Sequence, residues 1–399
     1  MSMNWAIPRG YRFAGGRCGI RGADSRKDLA LIVSDLPAAA AGVFTQNRVC
    51  AAPVQVSRQR VPQEQARGIV VCSGNANACT GEPGRRDAWR MTELLAESLG
   101  CSAEAILVCS TGIIGRPLPM DCIESGIRSL AAQLSATPEA VQAVAEAILT
   151  TDTRPKIAGR TLNLAGKEVR ILGWAKGAAM IGPNLATMLA FLLSDARVAA
   201  SDLDRMLRRA VDGSFQCISV DGHTSTNDTV LALANGAAGD LRLTGKELEC
   251  FEQALTEVCE ELARAIVADA EGAAHLITLE VQGTRTVAEA RQIAQAVANS
   301  PLVKTAIFGG DPNWGRIVSA AGYAGVDFRE EDLSLWIGEF LLYERGRPVP
   351  FPEAEVSRYL RQNREVVIRL CFELGSAACR FWTSDLTYDY VRLNAEYTT

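Results

Sequence analysis

Several short stretches of the chain hold residue types suited to acyl chemistry carried by side chains alone. The longest runs from Lys176 to Asp195, KGAAMIGPNLATMLAFLLSD. Gly177, Gly182, Pro183 and Asn184 mark a turn, and the apolar run Met188 to Leu193 predicts a buried strand. Thr187 then stands at the mouth of that strand, where a stiff element fixes its hydroxyl and the loop leaves it accessible, as a nucleophile requires. A β-branched residue at a strand start also serves as plain core, and the local pattern leaves both readings open. Upstream, the apolar stretch Ile106 to Cys109 opens into STGIIGRPLPM, placing Thr111 and Gly112 just past a strand. A developing oxyanion needs fixed donors, and glycine lets a reacting carbonyl approach the backbone closely; an ordinary Ser/Thr/Gly turn would read the same.

What is missing narrows the chemistry. The chain has two histidines, His223 and His275, which leaves little for a His-based zinc site or a Ser-His-Asp triad. TGKE at 244–247 fails the phosphate-loop pattern, because Glu247 occupies the Ser/Thr position, and no G-x-G-x-x-G opens a helix. Asp221, His223 and Asp228 in DGHTSTNDT read as a hydrogen-bonded loop rather than as metal ligands. The sequence therefore predicts neither a cofactor nor a metal. The net charge of −5, without a Lys/Arg run, speaks against nucleic acid as a partner. No apolar stretch has the length of a membrane span, and the first residues lack a signal-like apolar segment, so a cytoplasmic protein is the expectation. The twelve cysteines, with no C-x-x-C pair, read as core thiols.

Taken together, these strings resemble the ornithine acetyltransferase (glutamate N-acetyltransferase) family, whose self-cleavage segment is K-G-x-x-M-x-x-P-N-x-A-T-M-L. The matches are Lys176, Gly177, Met180, Pro183, Asn184, Ala186, Thr187, Met188 and Leu189. The resemblance implies that the chain cuts itself between Ala186 and Thr187, giving an α chain 1–186 and a β chain 187–399 with Thr187 as N-terminal nucleophile. It implies that Thr111 and Gly112 form the oxyanion hole, and that the loop SGNANACTG, with Asn75 and Asn77, supports the site. Substrate contacts would come from the TTDT string (Thr150 and Thr151 are assigned, though which of Thr150, Thr151 and Thr153 touches substrate is left open), Lys176, Thr187, Glu271, Asn394 and Thr399. Lys176 is also a natural partner for a substrate carboxylate. Two departures stand near Glu271: Ala270 where the family has Gly, and His275 where it has Lys.

The implied reaction moves acetyl from N-acetyl-L-glutamate to L-ornithine through an acyl-Thr187 ester, with acetyl-CoA as a possible further donor. The α-amine released on Thr187, with an unperturbed pKa of about 7.7–8.0, could serve as base for its own hydroxyl. An α₂β₂ particle is implied as well. Two alternatives use the same sequence: an N-terminal-nucleophile amidase or aminopeptidase in which water resolves the ester, and an uncleaved metabolite-binding protein.

The elements that must position these residues follow from periodicity. Strands are expected at Asp28 to Val33, Ala41 to Phe44, Gly68 to Cys72 and Val169 to Ala175, and helices at Arg85 to Leu99 and Thr137 to Leu149. Thr137 is the expected N-cap of the latter, followed by Pro138. Ser201 is expected to cap the next helix, and Gly245 to Ala270 reads as one long helix whose end places carboxylates against the negative end of its dipole. The last third predicts a helix from Val287 to Val297, a strand from Leu302 to Phe308, a packing Trp314, and antiparallel strand pairs over Leu333 to Tyr343 and Val366 to Trp382. Alternating elements make the fold α/β; an αββα-type sandwich with a smaller C-terminal α/β unit is what the resemblance adds.

Overall fold

The structure, a computed structural model, describes residues 5–182, 188–240 and 242–396. Ala186, Thr187 and Thr399 lie outside the described residues. The chain begins with β1 (Tyr11–Gly16), β2 (Leu29–Phe44), α1 (Ala52–Gln59), β3 (Gln63–Asn75), α2 (Gly81–Leu99), β4 (Ile106–Ile113), α3 (Met120–Ala131) and α4 (Pro138–Ala147). It continues through β5 (Lys156–Leu164), β6 (Lys167–Lys176), β7 (Leu189–Ser194), α5 (Ala200–Gly213), β8 (Ile218–Ser219), β9 (Thr229–Ala234) and α6 (Gly245–Ala268). The last part holds β10 (Leu276–Thr284), α7 (Val287–Ala298), α8 (Pro301–Gly309), α9 (Trp314–Gly322), β11 (Leu333–Ile337) and β12 (Phe340–Glu344). It closes with β13 (Arg347–Pro348), α10 (Glu353–Gln362), β14 (Glu365–Phe372), β15 (Ala377–Ser384) and α11 (Tyr388–Glu396).

The first sheet runs β4-β3-β2-β9-β7-β6-β5, with β1 also on β2. Its two halves are joined through β2, which the sequence pattern had divided into two strands. Asp35, Leu36 and Pro37 interrupt the burial of β2, and its pairing with β3 shifts register between Val33 and Ala38. Proline cannot donate to a ladder, so the interruption falls there without a buried loss. Before it, β2 pairs with β1 and β3; after it, with β9, while still meeting β3 at Ala38 and Ala40.

Alternation then builds two faces on each half. Ile69, Val71 and Leu107 share one core with Trp174, Phe191 and Leu231, and the Phe13 and Trp174 rings meet across it with centroids 5.4 Å apart. The opposite parity, Val70 and Val108, packs under Leu94 of α2 and Ile123 of α3. Ala190, Leu192 and Val230 pack under Met206 of α5 and Val258 of α6. The result is a helix–sheet–sheet–helix sandwich. Strands β7 and β9 lie between β2 and β6, so the segments on either side of the Ala186–Thr187 bond share one sheet.

The second sheet is ordered β13-β12-β11-β14-β10-β15-β8, with α7 against β10 and β15. Here sequence reading needs three corrections. The expected strand from Leu302 to Phe308 is α8: Ser300 caps it by accepting the Val303 N–H, and Pro301 stands at its first position. A short apolar run fits either element, and the cap decides. Strands β14 and β15 do not pair with each other, because β10 lies between them. Ser201 is inside α5, whose N-cap is Ala199. The Thr137 cap is formed as expected, its hydroxyl accepting the Ala140 N–H.

Candidate active site

A cavity of about 390 Å³ opens where β3, β4 and β6 end, facing the turn after α6 and the last helix, α11. Lys176, the final residue of β6, is 1% exposed, and its Nζ donates to the Thr111 hydroxyl at 3.1 Å. A hydroxyl has one proton to give and lone pairs to accept with. Because the ammonium occupies a lone pair, the Thr111 proton is left for another acceptor, and the adjacent charge polarises it. Burial pushes the Lys176 pKa down, while the carboxylates of Asp152 and Asp228 oppose that. Gly112 adopts φ +131°, and a Cβ there would collide with the Gly74 carbonyl carbon of β3. Only glycine fits this close approach of two backbones.

Behind Lys176 stands a buried ionic frame. The Asp152 carboxylate accepts from Lys156 Nζ at 2.6 Å and from the Gly177 N–H at 2.6 Å, and Lys156 also meets Asp269 at 2.7 Å. Burial pushes Asp152 upward, but Lys156 and Lys176 outweigh it and hold the group at about 2. Asp269 is the C-cap of α6, and Lys156 supplies the cation that a carboxylate at a helix C-terminus needs. The TTDT string is thereby sorted. Thr150 and Thr151 line the cavity, whereas Thr153 donates its hydroxyl to Asp269 and faces the frame.

The opposite wall is acidic. Glu271 lines the cavity, its N–H donating to the Ala178 carbonyl at 2.9 Å, and its carboxylate accepts the Asn394 amide at 3.0 Å. Asp221 accepts from the Met180 N–H at 2.6 Å, the Ile181 N–H at 2.9 Å and the Tyr390 hydroxyl at 3.2 Å. It therefore joins the turn after Lys176 to α11. Burial, reinforced by the Asp221 charge, pushes the Tyr390 phenol up. His275 does not line the cavity; its ring meets the Asp385 carboxylate at 2.7 Å and the Leu360 carbonyl at 2.9 Å. The departure at position 275 thus sits in packing behind β10.

Of the residues expected from sequence, the structure brings Thr111, Gly112, Thr150, Thr151, Lys176, Glu271 and Asn394 to this one cavity. Thr187, Ala186 and Thr399 lie outside the described residues. Asn75 and Asn77 do not line it but hold its rim. Asn75 donates to the Pro117 carbonyl at 3.0 Å and Asn77 to the Gly84 carbonyl at 2.8 Å, leaving Gly74 and Ala76 to face the cavity. Arg21, Asp221, His223, Asn227 and Tyr390 also line it and were not anticipated. Asp221 and Asn227 fall in the DGHTSTNDT loop, whose density of hydrogen-bonding side chains was the available signal; Arg21 carries none. Asn227 donates to the Ala76 carbonyl at 2.6 Å and the Ser110 carbonyl at 2.8 Å, tying two rim strands together. Among the described residues, no group of three or more His, Cys, Asp or Glu could hold a metal ion. Among them, no helix is long and apolar enough to cross a membrane.

Comparison with known proteins adds a full-length match. The ArgJ family matches residues 12–399. The arginine biosynthesis bifunctional protein ArgJ of Symbiobacterium thermophilum is 48% identical over 395 residues, covering 98% of each chain. The protein of the same name from Geobacter sulfurreducens is 47% identical over 393 residues, covering 98% of this chain and 99% of its own. Among solved structures, the arginine biosynthesis bifunctional protein of Bacillus halodurans is 40% identical with a TM-score of 0.50, covering 51% of this chain and 96% of the solved one.

Proposed function

This chain belongs to the ArgJ family of arginine-biosynthesis enzymes, and we propose that it transfers acetyl from N-acetyl-L-glutamate to L-ornithine through Thr187. In the uncut chain the Thr187 hydroxyl attacks the Ala186 carbonyl carbon, the peptide C–N bond breaks, and water opens the resulting ester. The chains 1–186 and 187–399 stay together, because the shared sheet would otherwise expose unpaired edges on both. The solved relative of which 96% is covered by 51% of this chain supports a cut near the middle. In turnover, Thr187 Oγ attacks the acetyl carbonyl, glutamate leaves with the proton on its amine, and the ornithine amine then takes the acetyl group and restores the hydroxyl.

One observation carries this reading: the Lys176 ammonium 3.1 Å from the Thr111 hydroxyl, in the wall of a cavity beside Gly112. It supplies a directed, polarised donor for the oxyanion of each tetrahedral intermediate. The acidic wall of Glu271 with Asn394 suits the substrate amino group, and Thr150 and Thr151 suit its polar edge. Thr399 is assigned to the same edge. Amide is exchanged for amide through an ester, so no cofactor is invoked. Acetyl-CoA as a further donor, an α₂β₂ assembly and a cytoplasmic location complete the proposal. Intact mass under denaturing conditions tests the first step, with two chains of 186 and 399 − 186 = 213 residues expected. Acetate release from N-acetylglutamate that is equally fast with and without ornithine would replace transfer by hydrolysis.

A further inference from the structure

Two of the twelve cysteines meet away from the cavity. Cys217 ends the short turn Phe215–Cys217 that feeds β8, and Cys379 lies in β15, the strand with which β8 pairs. Their sulfurs are 3.9 Å apart, across 162 positions of sequence. Cys217 is buried, with its Sγ 3.3 Å from the Asp212 carbonyl, whereas Cys379 is half-buried. The Arg291 guanidinium of α7 stands beside them. It holds the Asp212 carboxylate through two bonds of 2.7 Å and the Asp212 carbonyl at 2.9 Å. Its Nε is buried and has no hydrogen-bond partner among the described residues. The Cys217 S–H draws the Cys379 pKa down, and the Arg291 charge adds to this against burial. The same hydrogen bond, with burial, pushes the Cys217 pKa up. Thiolate is the reactive form of cysteine, and a partly exposed thiol beside an arginine is where it forms. A second thiol within reach resolves the first product of its oxidation.

We propose that Cys379 and Cys217 form an oxidant-modification site, in which Cys379 reacts with a peroxide and Cys217 closes a disulfide onto it. The Cys379 thiolate attacks one oxygen of hydrogen peroxide; the S–O bond forms, the O–O bond breaks, and hydroxide leaves and takes a proton from solvent. Cys379 is then a neutral sulfenic acid, and the negative charge that held Cys217 protonated is gone. The Cys217 sulfur displaces the sulfenic oxygen, which departs as a second water with the Cys217 proton. The two thiols have lost the two electrons that the peroxide gained. Side-chain rotation must bring the sulfurs from 3.9 Å to a bond length of about 2.05 Å. A bridge there ties β8 to β15, the strands that lead to Asp221 and to α11 with Tyr390. Both cysteines follow position 187 in sequence, so the bridge forms within one chain whether or not the chain is cut.

Folded wild type, Cys217→Ser and Cys379→Ser are treated with equimolar hydrogen peroxide, with and without dimedone, then unfolded, alkylated and mapped by peptide mass. Wild type should lose two hydrogens in a linked pair of peptides carrying Cys217 and Cys379, and dithiothreitol should restore both thiols. Cys217→Ser, which lacks the resolving thiol, should instead accumulate dimedone-labelled Cys379. Cys379→Ser should leave Cys217 unmodified, because that thiol is buried and protonated. The exposed Cys79 and Cys250 serve as internal references in every sample. Oxidation of either reference ahead of Cys379, or the absence of the linked pair from oxidised wild type, would overturn the assignment. Dimedone label on Cys217 in Cys379→Ser would overturn it as well, since the reacting thiol would then be the wrong one.

Discussion

Replacing Thr111 by Val tests the centre of the reasoning, because the side chain keeps its shape and loses only the hydroxyl. In the structure that hydroxyl is buried at the cavity wall, with Lys176 Nζ 3.1 Å behind it. The variant therefore removes the proposed oxyanion donor and the acceptor of a buried ammonium together. Loss of one such donor costs about 10²–10³ in kcat, or roughly 2.7–4 kcal/mol. The oxyanion exists only in the transition state and intermediate, so KM should hardly move. The proposed self-cleavage would pass through the same kind of intermediate and should slow alongside transfer. The assay follows the two-chain fraction by intact mass over time, then measures acetyl transfer from N-acetylglutamate to ornithine on the matured fraction. Thr111→Ser serves as the control, since it restores a hydroxyl at the same position. A folded Thr111→Val protein that cuts and transfers within about threefold of wild type would refute the assignment, as a donor worth hundreds-fold cannot be dispensable.

Gly112→Ala should abolish transfer and lower the thermal midpoint, since φ +131° and the collision with the Gly74 carbonyl force the rim apart; a normal midpoint with normal activity would contradict this. Lys156→Met strands two buried carboxylates, Asp152 and Asp269, and should cost about 3–5 kcal/mol, read as a lower urea midpoint. Asp152 is held at about 2 when folded, below roughly 3.9 when unfolded. Its stabilisation is therefore complete above about pH 4 and lost as pH falls toward 2, and Lys156→Met should flatten that acid limb. The Asp385 carboxylate raises the His275 pKa when folded, so that pair contributes fully below about pH 6.5 and fades as pH rises through the folded value. The gap in thermal midpoint between wild type and Asp385→Asn should shrink from pH 6 to pH 9. Glu271→Gln should raise KM for the amino-acid acceptor more than it lowers kcat, as expected for a residue that binds rather than reacts; initial-rate kinetics with varied ornithine would show it.

Local chemistry made much of this protein legible from the amino-acid order alone. Thr137 and Pro138 announce a helix start and the period of α6 announces its buried stripe, whereas Thr111 and Gly112, expected just past a strand, lie within β4, which continues to Ile113 because it keeps pairing with β3. Those signals depend on neighbours within a few residues, which is the range over which backbone sterics and capping act. The strand-like stretch Leu302 to Phe308 misled because a short apolar run satisfies either period, and the Ser300 cap outweighed it. Long-range facts left no local trace. The path of β2 through Asp35–Pro37 into two differently paired halves is fixed by which partners the two halves find, as is the presence of β10 between β14 and β15. The frame of Asp152, Lys156 and Asp269 joins residues more than a hundred positions apart, and Lys176 approaches Thr111 across 65 positions. Sequence could name the residue types able to do the chemistry. Only packing of the sheet ends brought the ammonium behind the hydroxyl, because burial and charge proximity belong to the assembled core and not to any one segment.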